Sequence, residues 1–208
     1  MSNLTNYQIY DLLNRPRPLW LVKINLSETN LWMADLSECN LSWADLTKTD
    51  LSWANLIKTN LQKANLNLAN LYEAHLTLAN LAEAVLTRAN FTRANLDKAN
   101  LSGSILVEAN LSRSNLSRAT MNKSNMNGAI LARADISKAD LINVNLNGAN
   151  LSMANLFETN LSGADLRGAN LEKADLTGAN LYNANITGAI FTGSDLTDTI
   201  MPDGKKHI

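Results

Sequence analysis

A single cysteine, three prolines, two histidines and only 5% aromatic residues among 208 positions remove whole classes of protein at the outset. Lone Cys39 excludes a disulfide framework and a cysteine-based metal site within one chain. No run of eighteen apolar residues occurs, so no membrane-spanning helix is expected. The N-terminal stretch Met1-Ser2-Asn3-Leu4-Thr5-Asn6 lacks both a basic region and an apolar region, so no secretory signal is read there and the location expected is cytoplasmic. Formal charge is nearly absent as well, at -1. Enzyme signatures are missing: there is no G-x-S-x-G, no phosphate-binding Gly loop and no H-E-x-x-H. The expectation is a protein with no catalytic residues, no cofactor and no metal site.

What is present is repetition. Leu (36), Asn (30) and Ala (26) supply 92 of the 208 residues, which is repeat composition. From Leu26 to Leu196 every fifth residue is Leu, Ile, Phe or Met, 35 times without a gap. Two residues before each sits a small side chain, usually Ala, as at Ala34, Ala44 and Ala54, with Ile24 the one large exception, at the edge. Between them lies mostly Asn or Asp, so the unit reads A-(N/D)-L-x-x. Five fits neither the 3.6 of a helix nor the 2 of a strand. A helix would carry this Leu series around its whole circumference, because five residues advance it by about 500°. A solenoid that turns a corner every five residues keeps the series inside.

The number of sides follows from a second period. Gly128, Gly148, Gly168 and Gly188 recur at twenty, as do Arg93, Arg113 and Arg133. Twenty is four units, so equivalent positions stack once per four-sided turn. Eight glycines fall in the last slot of the unit, where a corner demanding positive φ favours them. About nine coils at roughly 4.8 Å each make a rod of about 40 Å.

These residues identify a resemblance. The sequence resembles the pentapeptide-repeat proteins, cyanobacterial members included, over about residues 21–200. The resemblance implies an all-β solenoid, a right-handed quadrilateral β-helix with a Leu/Phe core. The expected organisation is a capping segment over 1–20, the repeat over 21–200 and a tail over 201–208. Residues Thr5–Leu13 read as a short amphipathic helix with Thr5 or Asn6 as N-cap and Pro16 as its stop. Its apolar residues Leu4, Ile9, Leu12 and Leu13 are expected to cover the open first coil.

Few positions invite a chemical reading. His75 stands in an amide column between Asn55 and Asn95 and lacks convergent partners. Asp175 and Asp195 stack one coil apart, either as a cation site or as two solvated charges. Charge is segregated along the chain. Residues 86–140 carry eight basic groups (Arg88, Arg93, Lys98, Arg113, Arg118, Lys123, Arg133, Lys138) against four acids, or +4. Residues 21–85 carry four against seven, or -3, and residues 141–200 two against six, or -4. The belt is either merely solvated or a strip for an acidic protein; nucleic acid is the weaker reading, since no aromatics interleave with the charges.

The first coils carry large apolar side chains in slots filled elsewhere by Ser, Thr, Lys or Gly: Trp32, Met33, Trp43, Trp53, Ile57, Leu68 and Leu78. Either residues 1–20 fold over them or they form a partner-binding surface. The function expected is a rigid protein–protein interaction scaffold, as a monomer or in weak end-to-end association. The resemblance also offers a DNA-mimicking modulator of gyrase. That role needs a phosphate-like negative field, which the basic middle of this chain lacks.

Overall fold

The computed structural model describes residues 5–207. Its one helix is α1 (Asn6–Leu13). Thr5 is the N-cap: its hydroxyl accepts from the Gln8 amide, and the Gln8 side chain accepts from the Thr5 amide in return. Ile9 is buried, and Leu12 and Leu13 pack on the apolar core, so the helix covers the first coil. Leu4, expected on the same face, lies outside the described residues.

From Trp20 to Ile200 the chain bridges to itself in parallel at an offset of twenty residues, as in Trp20 to Asn40, Asn60 to Asn80 and Asn180 to Ile200. Twenty residues therefore close one coil of four sides. One full period, the five residues from Leu61 to Asn65, shows how a side is filled. Its Leu61 and Lys63 amides donate to the Asn80 and Ala82 carbonyls of the next coil, at 2.7 and 3.0 Å. The Asn65 amide donates back to Ala44 at 2.9 Å, and Ala64 closes the turn onto Leu61 at 3.0 Å. The fifth amide, of Gln62, goes to Oδ1 of Asn60 at 3.1 Å. Every backbone donor of the unit thus has a partner. Asn or Asp before the central Leu is the residue that makes this possible.

The third residue of each turn lies in the left-handed region, as a type II turn requires. Glycine takes it at Gly103, Gly128 and Gly148, but Lys63, Arg93, Trp53 and Leu68 adopt it as well, with φ between 58 and 62°. The corner is thus imposed on ordinary side chains. Inside, Leu and Ala alternate along each side and are almost all buried, with Phe91 the largest. At the far end the last coil has no successor, so Ile186, Phe191 and Leu196 are only partly buried. The tail folds back over one side, with Ile200 bridged antiparallel to Lys206 and the Asp198 amide donating to His207.

Candidate functional site

The outward slots follow from the unit. The residue before the central Leu forms a column along a side, and the two after it stand at the next corner. Columns of amides stack as the sequence predicts: Asn60 donates to Asn40, Asn80 to Asn60 and Asn100 to Asn80, each at 3.3 Å. His75 stands in its own column, bridged to Asn55 and Asn95. Cys39 is fully buried in the small-residue slot.

The paired aspartates are already occupied. Oδ1 of Asp175 accepts the Thr177 amide and Oδ1 of Asp195 the Thr197 amide, both at 2.9 Å. The Thr197 backbone and side-chain donors hold the Asp195 carboxyl below its ordinary value. That is opposite to the rise expected of two carboxyls competing for one proton. Among the described residues no group of three or more His, Cys, Asp or Glu side chains is placed to hold a metal ion.

The N-terminal apolar residues remain open to solvent. Trp32 and Trp43 are each 54% exposed and Trp53 43%, with Met33, Ile57, Leu68 and Leu78 also exposed. Helix α1 meets them at a groove lined by Ile9, Tyr10, Leu13, Asn30 and Trp32. The set is not one patch. Residues twenty apart stack, so residues ten apart face opposite ways. Trp32, Met33 and Trp53 share a side, where Tyr72 meets Trp53 edge-on at 6.2 Å between ring centres. Trp43 stands on the opposite side, with Nζ of Lys63 4.9 Å from its ring centre. Leu68 and Leu78 are likewise set on opposite corners. The apolar residues form a band around the first coils. Hydrophobicity of the slots alone does not mark Tyr72 and Lys63; their offsets of 19 and 20 residues from Trp53 and Trp43 carry the signal.

The basic belt is half neutralised within the chain. Arg88 pairs with Glu108 at 2.6 Å, Arg93 with Glu73 at 3.1 Å, Arg118 with Asp97 at 2.8 Å and Lys138 with Glu158 at 3.5 Å. The Tyr72 hydroxyl and then Arg93 hold the Glu73 carboxyl below its usual range. Lys98, Arg113, Lys123 and Arg133 make no ion pair among the described residues. Charge summed per segment does not reveal these pairs, which run from one coil to the next.

No helix among the described residues is long and apolar enough to cross a membrane. A family model for pentapeptide repeats matches in 8 copies between residues 24 and 198. Among solved structures, the chain is similar to HetL, a pentapeptide repeat protein involved in heterocyst differentiation regulation from the cyanobacterium Nostoc sp. strain PCC 7120. Identity is 34%, with 100% of both chains covered and a TM-score of 0.41. It is also similar to QnrB1, a plasmid-mediated fluoroquinolone resistance protein, at 16% identity over 80% of this chain and 90% of that one, with a TM-score of 0.66. Rfr23, a pentapeptide repeat protein from the cyanobacterium Cyanothece 51142, is 36% identical over 51% of this chain and 60% of its own, with a TM-score of 0.24. Among curated proteins, none matches the sequence.

Proposed function

Because this chain belongs to the pentapeptide-repeat family, we propose that it is a non-catalytic, rigid scaffold that binds another protein through the apolar band on its first coils. The observation that carries this reading is the exposure of Trp32, Trp43 and Trp53, which the described residues of the N-terminal segment leave uncovered. Tryptophan left half in water on a rigid frame suits binding, because few rotatable bonds are frozen when a partner covers it. Met33, Leu68 and Leu78 extend the band around the rod, which fits a partner that wraps the end or clasps it from two sides. The involvement of HetL in regulating heterocyst differentiation supports a regulatory role for this chain too.

The reading takes the coil to be right-handed, the protein to be cytoplasmic, and residues 1–20, 21–200 and 201–208 to serve as cap, rod and tail. A protein partner is favoured over nucleic acid, because half of the belt cations are matched within the chain. A gyrase-directed DNA mimic is the lesser reading, since the middle of the rod is positive.

A pull-down comparing the wild type with a Trp32→Ala, Trp43→Ala, Trp53→Ala variant tests the proposal. All three side chains point outward, so the variant keeps its core. Loss of a specifically retained protein is expected. Recovery of the same partners by both forms overturns the role of the band. A supercoiling assay addresses gyrase separately: inhibition or drug protection would reverse the order of the two readings.

A further inference from the structure

The corner that carries Trp53 changes character along the rod. Its residues, one per coil, run Met33, Trp53, Glu73, Arg93, Arg113 and Arg133. The first two belong to the apolar band and the last three to the basic belt. One set of contacts joins the two parts. Tyr72 meets the Trp53 ring edge-on at 6.2 Å, and its hydroxyl accepts from Nη1 of Arg93 at 3.3 Å. The same Nη1 reaches Glu73 at 3.1 Å, so this level is neutral.

Arg113 and Arg133 differ from Arg93. Both are exposed and make no ion pair among the described residues. The residues just before them, Ser112 and Ala132, are small and leave the guanidinium groups open. Lys98, on the next corner, is unpaired as well. Against these three cations the same stretch sets one unpaired carboxylate, Asp135, which leaves an excess of two positive charges. Asp135 is already engaged by the Ser137 amide and by Nδ2 of Asn155.

At the aromatic end the sign reverses. Asp50 stands on the side that leads to Trp53 and accepts from Ser52 and Asn70, with no cation paired to it among the described residues. A phosphate chain covering both parts would run past Asp50 and Glu73, and like charges repel. A neutral apolar side chain laid on Trp53 meets no such repulsion. The strip therefore suits a segment charged at one end, and not a uniformly charged nucleic acid.

We propose that this corner docks an extended protein segment, which sets a large apolar side chain against Met33 and Trp53 and acidic residues on Arg113 and Arg133. The inference rests on the apolar band as a partner-binding surface and names the chemistry of the segment it takes. Trp53 is three coils from Arg113 and four from Arg133, roughly 14 and 19 Å at the coil spacing. An extended chain covers these spans in about four to six residues. A planar guanidinium holds a carboxylate through two parallel hydrogen bonds, which makes the acidic contacts directional. The rigid coil fixes the separation of the two parts, so the spacing in the partner is itself recognised.

Selection from a displayed library of random peptides of about twelve residues, enough to span both parts, tests this. Enriched peptides are expected to pair a large apolar residue with Asp or Glu about four to six residues away. The best of them, synthesised with a fluorophore, is expected to bind Arg113→Glu with Arg133→Glu about tenfold more weakly than the wild type. A similar loss is expected for the wild type between about 0.1 M and about 1 M salt, where the screening length falls from about 10 Å to about 3 Å. Lys123→Glu alters an unpaired cation on the opposite corner and is expected to leave the affinity unchanged. Glu already takes the corner conformation at Glu73 and Glu108, so these variants keep the fold.

Apolar peptides without acids at that spacing overturn the proposal and leave the band standing as a binding surface. Acidic peptides whose binding survives Trp53→Ala overturn the proposal and the band's role at this corner together. A loss with Lys123→Glu as large as with the arginine variant overturns it too, as does a library in which nothing is enriched. So does a single-stranded oligothymidylate that displaces the peptide and fails to bind the arginine variant, which would assign the strip to nucleic acid.

Discussion

The hydroxyl of Thr59 donates to the carbonyl of Leu36, 23 residues earlier, at 2.7 Å. Both groups lie inside the solenoid, where Thr59 fills a slot that alanine usually takes. Thr49, Thr159 and Thr199 do the same to Leu26, Ile136 and Leu176. A polar side chain is accepted in the bore because a carbonyl of the preceding coil is within reach. Ser124 occupies the same slot, is equally buried, and its Oγ has no partner among the described residues.

The contrast yields a paired prediction. Ser124→Ala removes an unsatisfied buried hydroxyl and leaves the commonest residue of that slot, so it stabilises by about 1 kcal/mol. Thr59→Ala loses a made hydrogen bond and a packed methyl, so it destabilises by about 1–2 kcal/mol. Denaturant midpoints of the two variants beside the wild type check the signs. A destabilised Ser124→Ala would mean that its hydroxyl has a partner after all.

Backbone conformation at the corners gives a second prediction. Lys123 holds φ of 58° and makes no ion pair among the described residues. Lys123→Gly relieves the left-handed penalty of about 1 kcal/mol, but glycine adds a comparable entropy to the unfolded chain. The two offset, and the variant stays within about 0.5 kcal/mol of the wild type. Lys123→Val keeps the penalty and adds branching at Cβ, so it costs more than about 1 kcal/mol. Equal midpoints for Gly and Val would show that the corner is not strained.

The acid limb of stability follows from carboxylates held below their ordinary values. Asp195 is lowered by the Thr197 donors, Asp203 by those of Lys205, Asp165 by the Arg167 side chain, and Glu73 by Tyr72 and then Arg93. A lowered folded value contributes stability above the unfolded value, about 4 for these groups, and that contribution is lost as pH falls through the folded value. Arg93 and Arg167 are shifted upward, so their contribution is present throughout the working range. The Tm is expected to be level between about pH 5 and pH 8 and to fall below about pH 4. A fall between pH 7 and pH 5 would point to another titrating group.

Sequence and structure divide the work unevenly. The column of Leu61, Leu81 and Leu101 is legible in the chain because an uninterrupted five-residue period admits one solution. So is the stacking of Asn60 on Asn40, since twenty is four units. The pairing of Arg118 with Asp97 was less legible, because the two belong to different slots and the bond crosses between neighbouring columns. The positive φ of Trp53 was hidden for another reason: glycine advertises that conformation, whereas tryptophan bears it under the constraint of hydrogen bonds on both sides.

The near-absence of cysteine, proline and aromatic residues told only what this chain is not. Its period determined the rest of the architecture: Leu on the axis, Ala beside it, Asn on the sides and a corner every five residues. Only the tertiary structure decided which outward groups are left over. Trp43 and Trp53 are separated by ten residues and sit on opposite sides; Arg88 and Glu108 are separated by twenty and touch. Spacing sets the angle around the rod, but the reach of each side chain to the next coil decides whether its charge or its ring remains free for a partner.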